Sequence, residues 1–219
     1  MGEVRGFGAA AVVALPFAGT AAVLAVVAAP SASEWRAADP LLQLLGGGAV
    51  WLAVAAAAVV ALAWARVGRV RRGDLIRAAA GAGLAVLALL CLRGLVGGRL
   101  PSVIPREESS APGLTLGLSA GLLEEVVFRL VVLPGVYLAC RRKLGVRASA
   151  ALGIVATALL FSLSHELGPA GGAFEPRFLL TRFLVPGVAM SVLAFSAGPA
   201  FVVAAHCSAH LVIPALFHA

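Results

Sequence analysis

Seven apolar runs, separated by short polar or proline-marked breaks, dominate this 219-residue chain. They occupy 7–29, 41–65, 78–98, 114–140, 148–165, 178–196 and 199–217, each near the ~20 residues with which a helix crosses the hydrocarbon core of a bilayer. The breaks read as loops: PSASEWRAADP at 30–40, LPSVIPREESSAPG at 100–113, a Gly/Pro-rich stretch at 166–177, and a very short SAGP turn before the last run. The pattern predicts an all-α, polytopic membrane bundle of about seven transmembrane helices. It forms a single domain, 1–219, with no internal repeat. Small residues at 28–33 resemble a signal-peptidase site, but the apolar run before them exceeds the usual signal core of roughly 7–15 residues, so a retained span is expected. Pro186-Gly187 predicts a kink or break in the sixth run.

Composition supports this class: 61% of residues are hydrophobic and only 12% charged. The net charge of +7 does not indicate nucleic acid. Nine of the 17 basic residues fall in two clusters between apolar runs, Arg66, Arg69, Arg71, Arg72, Arg77 and then Arg141, Arg142, Lys143, Arg147. Basic loops beside spans are the orientation signal of a membrane protein. With Arg5 inside, both clusters face the cytoplasm, the C-terminus lies outside, and the mixed or acidic loops fall outside. Cys91, Cys140 and Cys207 are scattered in or at the ends of apolar runs without metal or disulfide spacing.

Charge inside the fourth run changes the picture. Glu124, Glu125 and Arg129 interrupt an otherwise apolar stretch, where an ionisable group costs roughly 2.5–3.5 kcal/mol even on lenient scales. Glu125 and Arg129 are four apart and share a helix face, while Glu124 is turned about 100° from Glu125 and is free to face a cavity. The fifth run ends with Phe161 and His165, also four apart, and the seventh carries His206 and His210 at the same spacing. In the orientation above, these groups share a depth in the outer half of the membrane. A carboxylate with imidazoles can take a proton from water and donate to an oxyanion. The same set also suits zinc.

The segments EEVVFR (124–129), FSLSH (161–165) and HCSAH (206–210) resemble, in order, the EExxxR, FxxxH and HxxxN motifs of the CPBP (Abi) intramembrane proteases, which include the type II CAAX prenyl endopeptidases. The likeness spans a protease core at 112–217, in the last four spans, and leaves 1–111 as accessory spans. It implies that Glu124 and His165 activate water, that Glu125 and Arg129 organise the site with Phe161 beside it, and that His206 and residue 210 stabilise the oxyanion. Position 210 departs from the pattern, with His where Asn is usual. That change keeps a donor and revives the metal alternative, Zn2+ on Glu124, His165, His206 and His210. Water activation by Glu124 with no required metal is the favoured expectation.

The resulting expectation is an intramembrane endopeptidase of the bacterial inner membrane, acting on a membrane-anchored protein or peptide near the outer leaflet. C-terminal anchor or sorting segments would be its substrates, as for the myxosortase-like relatives. A prenyl-tail endopeptidase is the nearer alternative. A Glu/His proton-coupled transporter and a non-enzymatic immunity or partner-binding protein are the alternatives of other classes.

Overall fold

A computed structural model of the chain describes residues 6–28, 72–95, 111–166 and 176–217. Among these, every element is helical. Helix α1 is Gly6–Ala28 and α2 is Arg72–Leu95. Helix α3, Ala111–Glu124, runs into a π-helical stretch, Glu125–Val132, and then into α4, Leu133–Glu166. Helix α5, Pro176–Arg182, passes through a second π-helical stretch, Phe183–Ala189, into α6, Met190–Ser196, and α7 is Pro199–Phe217. Two stretches, Arg72–Leu95 and Leu114–His165, are long and apolar enough to cross a membrane. The described residues therefore do not confirm the count of seven spans. The expected second span, 41–65, and the loop at 30–40 lie outside the described residues, as do 100–110 of the expected loop at 100–113 and 167–175 of that at 166–177; the described ends of these loops, 111–113, 166 and 176–177, are helical. The expected third span begins six positions earlier than its apolar run, because the helix takes in Arg72 and the Asp74–Arg77 ion pair of 3.5 Å.

The long apolar stretch is a hairpin. Gly145 has φ 76° and ψ 176° inside α4, a conformation open essentially only to glycine, and the chain reverses there. After the reversal Gly153 lies against Leu133 and Tyr137, and Phe161 meets Phe128 edge-to-face at 5.2 Å. The two limbs are thus antiparallel, and the exposed Arg-Arg-Lys segment at 141–143 occupies their tip. A second glycine joint links α6 to α7. Gly198, at φ 99°, caps α6 with its N–H and that of Ala197 on the Leu193 carbonyl, and Pro199 opens the next helix where its missing N–H costs nothing.

Small residues bring the helices together. The apolar core joins Ala9, Ala10, Ala14, Ala18 and Ala21 of α1 to Leu118 and Leu122 of α3 and to Val203, Ala204 and Cys207 of α7. Helix α2 packs along α7, with Gly81 directly on the Phe201 backbone. Close backbone approach of this kind is how helices associate where lipid supplies no hydrophobic drive between them. Outward-facing leucines and valines, among them Leu84, Leu87, Val131, Leu159 and Leu184, leave an apolar exterior. That exterior and the spanning helices mark a membrane protein.

Candidate active site

The two π-helical stretches shape the site. At the end of the first, the Leu133 N–H reaches back five residues to the Phe128 carbonyl. The second contains Pro186, and at its end the Met190 N–H goes to the Gly187 and Val185 carbonyls and passes over that of Pro186. Short π-helical insertions of this kind are frequent at functional sites. The bypassed Pro186 carbonyl accepts a hydrogen bond from Arg129 Nη2.

Arg129 is fully buried. Its Nη1 stands 3.4 Å from Glu125 Oε1 and its guanidinium covers the Phe161 ring at 4.8 Å, a favourable arrangement for a desolvated cation. Glu125, also buried, accepts from His206 Nδ1 at 2.8 Å. The expected i,i+4 partner of Glu125 therefore holds it from one side while α7 supplies an imidazole from the other.

Glu124 lies one position earlier and faces a different set. His165 Nε2 is 3.2 Å from Glu124 Oε1 and His206 Nε2 is 3.8 Å from Oε2. His210 Nε2 is 3.2 Å from His206 Nε2, and the two rings lie 5.0 Å apart and tilted by 34°. The structure thus gathers Glu124, Glu125, Arg129, Phe161, His165, His206 and His210 from α3, the first π-helical stretch, α4 and α7 into one cluster. Glu124 is 5% exposed, and the His165 and His206 side chains 17% and 15%, so the imidazoles have an open side.

Hydrogen-bond chemistry fixes where the protons sit. The Phe161 carbonyl only accepts, so His165 Nδ1, 2.9 Å away, donates to it; Ser164 Oγ donates to the same carbonyl at 2.8 Å. His165 Nε2 and Glu124 Oε1 then need one further proton between them at 3.2 Å. His206 Nδ1 donates to Glu125, which leaves its Nε2 turned towards Glu124 and His210. Nδ1–H anchored to a carbonyl or carboxylate, with Nε2 presented to the reactants, is how a catalytic or ligating histidine is oriented. Among the described residues, no three His, Cys, Asp or Glu side chains are grouped to hold one metal ion.

Three contributors were not legible as site residues in the sequence: the Pro186 carbonyl, the Phe128 ring and Gly121. Pro186 was visible only as a kink signal. Gly121, one turn before Glu125, lies where a Cβ would come 2.7 Å from His210 Cδ2, and no spacing rule points to it.

Comparison with known proteins agrees with the geometry. No curated protein and no solved structure matches the chain. Residues 107–219, just over half of it, match the family described as type II CAAX prenyl endopeptidase Rce1-like. Every clustered residue lies in that region, and the chain belongs to this Rce1-like family of intramembrane CAAX endopeptidases.

Proposed function

We propose that this protein is an intramembrane endopeptidase that hydrolyses a peptide bond in or beside a substrate's membrane segment, near the outer leaflet, with water activated by Glu124. The observation that carries the reading is the convergence of His165 Nε2 and His206 Nε2 on the two oxygens of one buried carboxylate, at 3.2 and 3.8 Å. With the shared proton on His165, Glu124 is a carboxylate able to take a proton from water. The water oxygen bonds to the scissile carbonyl carbon, and the carbonyl oxygen becomes an oxyanion facing the His206–His210 pair, whose Nε2 hydrogen is the available donor. As the C–N bond breaks, the leaving nitrogen takes the proton that Glu124 and His165 hold, giving a carboxylic acid and an amine. Glu125 and Arg129 orient His206 and do not touch the reacting atoms.

No step runs through a metal ion. Zn2+ on Glu124, His165, His206 and His210 is the competing arrangement, and metal content tests it.

Depth supports the outer leaflet. The 17 residues from Glu124 to Arg141, at ~1.5 Å each, put about 25 Å between carboxylate and basic hairpin tip, close to the full ~30 Å of hydrocarbon. If the tip is cytoplasmic, as the basic residues favour, the site opens far from it. This suits trimming of C-terminal anchor or sorting segments of exported proteins in the bacterial inner membrane, as in the myxosortase-like subgroup. The family match supports a second reading, cleavage of prenylated tails.

The test is mass spectrometry of membrane-protein C-termini in cells carrying the wild-type gene, a deletion, or Glu124→Gln. Trimmed termini should vanish in the last two alike. Trimming at the wild-type rate by Glu124→Gln would remove Glu124 as the base. Protein purified in chelator should remain active, and about one zinc per chain, lost together with activity in His206→Ala, would establish the metal arrangement instead.

A further inference from the structure

Two features of the site meet at one point: the part-buried His206–His210 contact and the notch at Gly121. His206 Nδ1 is committed to Glu125 at 2.8 Å, so in the neutral ring Nε2 carries a lone pair. His210 Nε2 stands 3.2 Å from that nitrogen, and two nitrogens at this distance share a hydrogen. In that form the hydrogen is His210's. Helix α3 faces the same ring with Gly121, where a Cβ would lie 2.7 Å from His210 Cδ2 and 3.2 Å from Nε2. Real Cβ atoms do not approach so closely, so a side chain at 121 would displace the His210 ring from this position.

We propose that Gly121 is a positioning residue of the reaction: the side chain it lacks is the seat of the His210 ring, and His210 acts through His206 by holding its Nε2 edge with one N–H···N bond. The pair is one unit: its one hydrogen bridges the two Nε2 atoms in the resting site and turns to the oxyanion only as that charge forms. This deepens the hydrolase reading above and rests on it for its catalytic meaning, while the ring-to-ring bond itself is independent of turnover. The charged and titratable groups around the pair are Glu124, Glu125 and, behind Glu125, Arg129; His165 lies across Glu124, and Cys207 follows His206 on α7. Helix α1 contributes none between Gly6 and Ala28.

Full-length protein labelled with 15N-histidine in lipid nanodiscs should show a scalar coupling across the hydrogen bond between the His206 and His210 ring nitrogens, with His206 as the Nδ1–H tautomer. The coupling should be lost in Gly121→Ala. Wild-type protein without it, or Gly121→Ala with it intact, would overturn the assignment. C-terminal trimming in cells supplies the second readout. Gly121→Ala should lower it at least tenfold, His210→Asn only a few-fold, and Gly121→Ala/His210→Asn no further than His210→Asn alone, because the smaller amide vacates the notch. A further tenfold loss when Gly121→Ala is added to His210→Asn would show that Gly121 serves helix packing and not His210. Loss of trimming in none of the variants, Glu124→Gln included, would sink the hydrolase reading while leaving the coupling to stand or fall alone.

Discussion

Arg129→Met is the perturbation that isolates the electrostatic support of the site. The methionine keeps much of the aliphatic volume and removes the cation. Glu125 then keeps His206 on one oxygen and loses the charge 3.4 Å away, in a position 1% exposed. Breaking a buried pair by removing one partner costs about 3–5 kcal/mol, because the remaining charge is left uncompensated. Two further losses act in the same direction, the hydrogen bond to the Pro186 carbonyl and the cover over Phe161. The double change Arg129→Met/Glu125→Gln removes both charges, so it should recover most of that penalty; replacing both partners of a buried pair by neutral groups is often close to neutral in stability. The assay is equilibrium unfolding in mixed micelles along an SDS titration, with helicity as the signal. The order expected is wild type, then the double variant, then Arg129→Met with a deficit of about 3–5 kcal/mol. A double variant as unstable as the single, or a single variant within about 0.5 kcal/mol of wild type, the range of an ordinary surface change, would refute the buried-pair reasoning and leave Arg129 as a packing residue.

Gly145→Ala should destabilise the hairpin by about 1–3 kcal/mol, the usual strain for a side chain in such a backbone conformation, and the same micelle titration reads it; an unchanged midpoint would mean that the reversal does not need glycine. For orientation, Leu144→Cys at the exposed tip, in a chain with Cys91 and Cys140 changed to Ser, should react with an impermeant maleimide only in inverted membrane vesicles. Labelling from outside intact spheroplasts would reverse the topology and with it the outer-leaflet placement.

What the sequence made legible depended on how local each cause is. Glu125 and Arg129 were expected to pair because four residues is one helical turn, and the π-helical stretch in which they lie still leaves them 3.4 Å apart. The partners of Glu124 were expected from a shared depth, which follows from chain orientation and needs no knowledge of packing. The Pro186 carbonyl could not be anticipated this way. Its availability follows from a hydrogen-bond slip in one helix and its use from an arginine 57 positions away, a contact that only the packed bundle defines. Gly121 was hidden for the same reason: its role depends on an imidazole arriving from α7, and a glycine in a Gly- and Ala-rich run carries no mark of that. Span counting was less secure, since an apolar run alone does not separate a membrane crossing from a shorter packed helix such as Phe183–Ser196.

Charge balance explains why the cluster has this composition. Glu124, Glu125 and Arg129 together carry one negative charge too many for a desolvated site, and an isolated buried charge is very costly. The hydrogen bond that commits His165 Nδ1 to a carbonyl forces one extra proton between His165 and Glu124, and that proton brings the cluster to neutrality. Neutrality for burial and the mobile proton that the proposed hydrolysis needs are thus met by the same hydrogen. In the proposed hydrolysis the base is therefore one member of a carboxylate–imidazole pair, with the carboxylate beside it neutralised separately by arginine. The adjacent glutamates Glu124 and Glu125 divide these tasks because the helix turns them apart, one to the imidazoles and the open side of the site, the other to Arg129 and the back of His206.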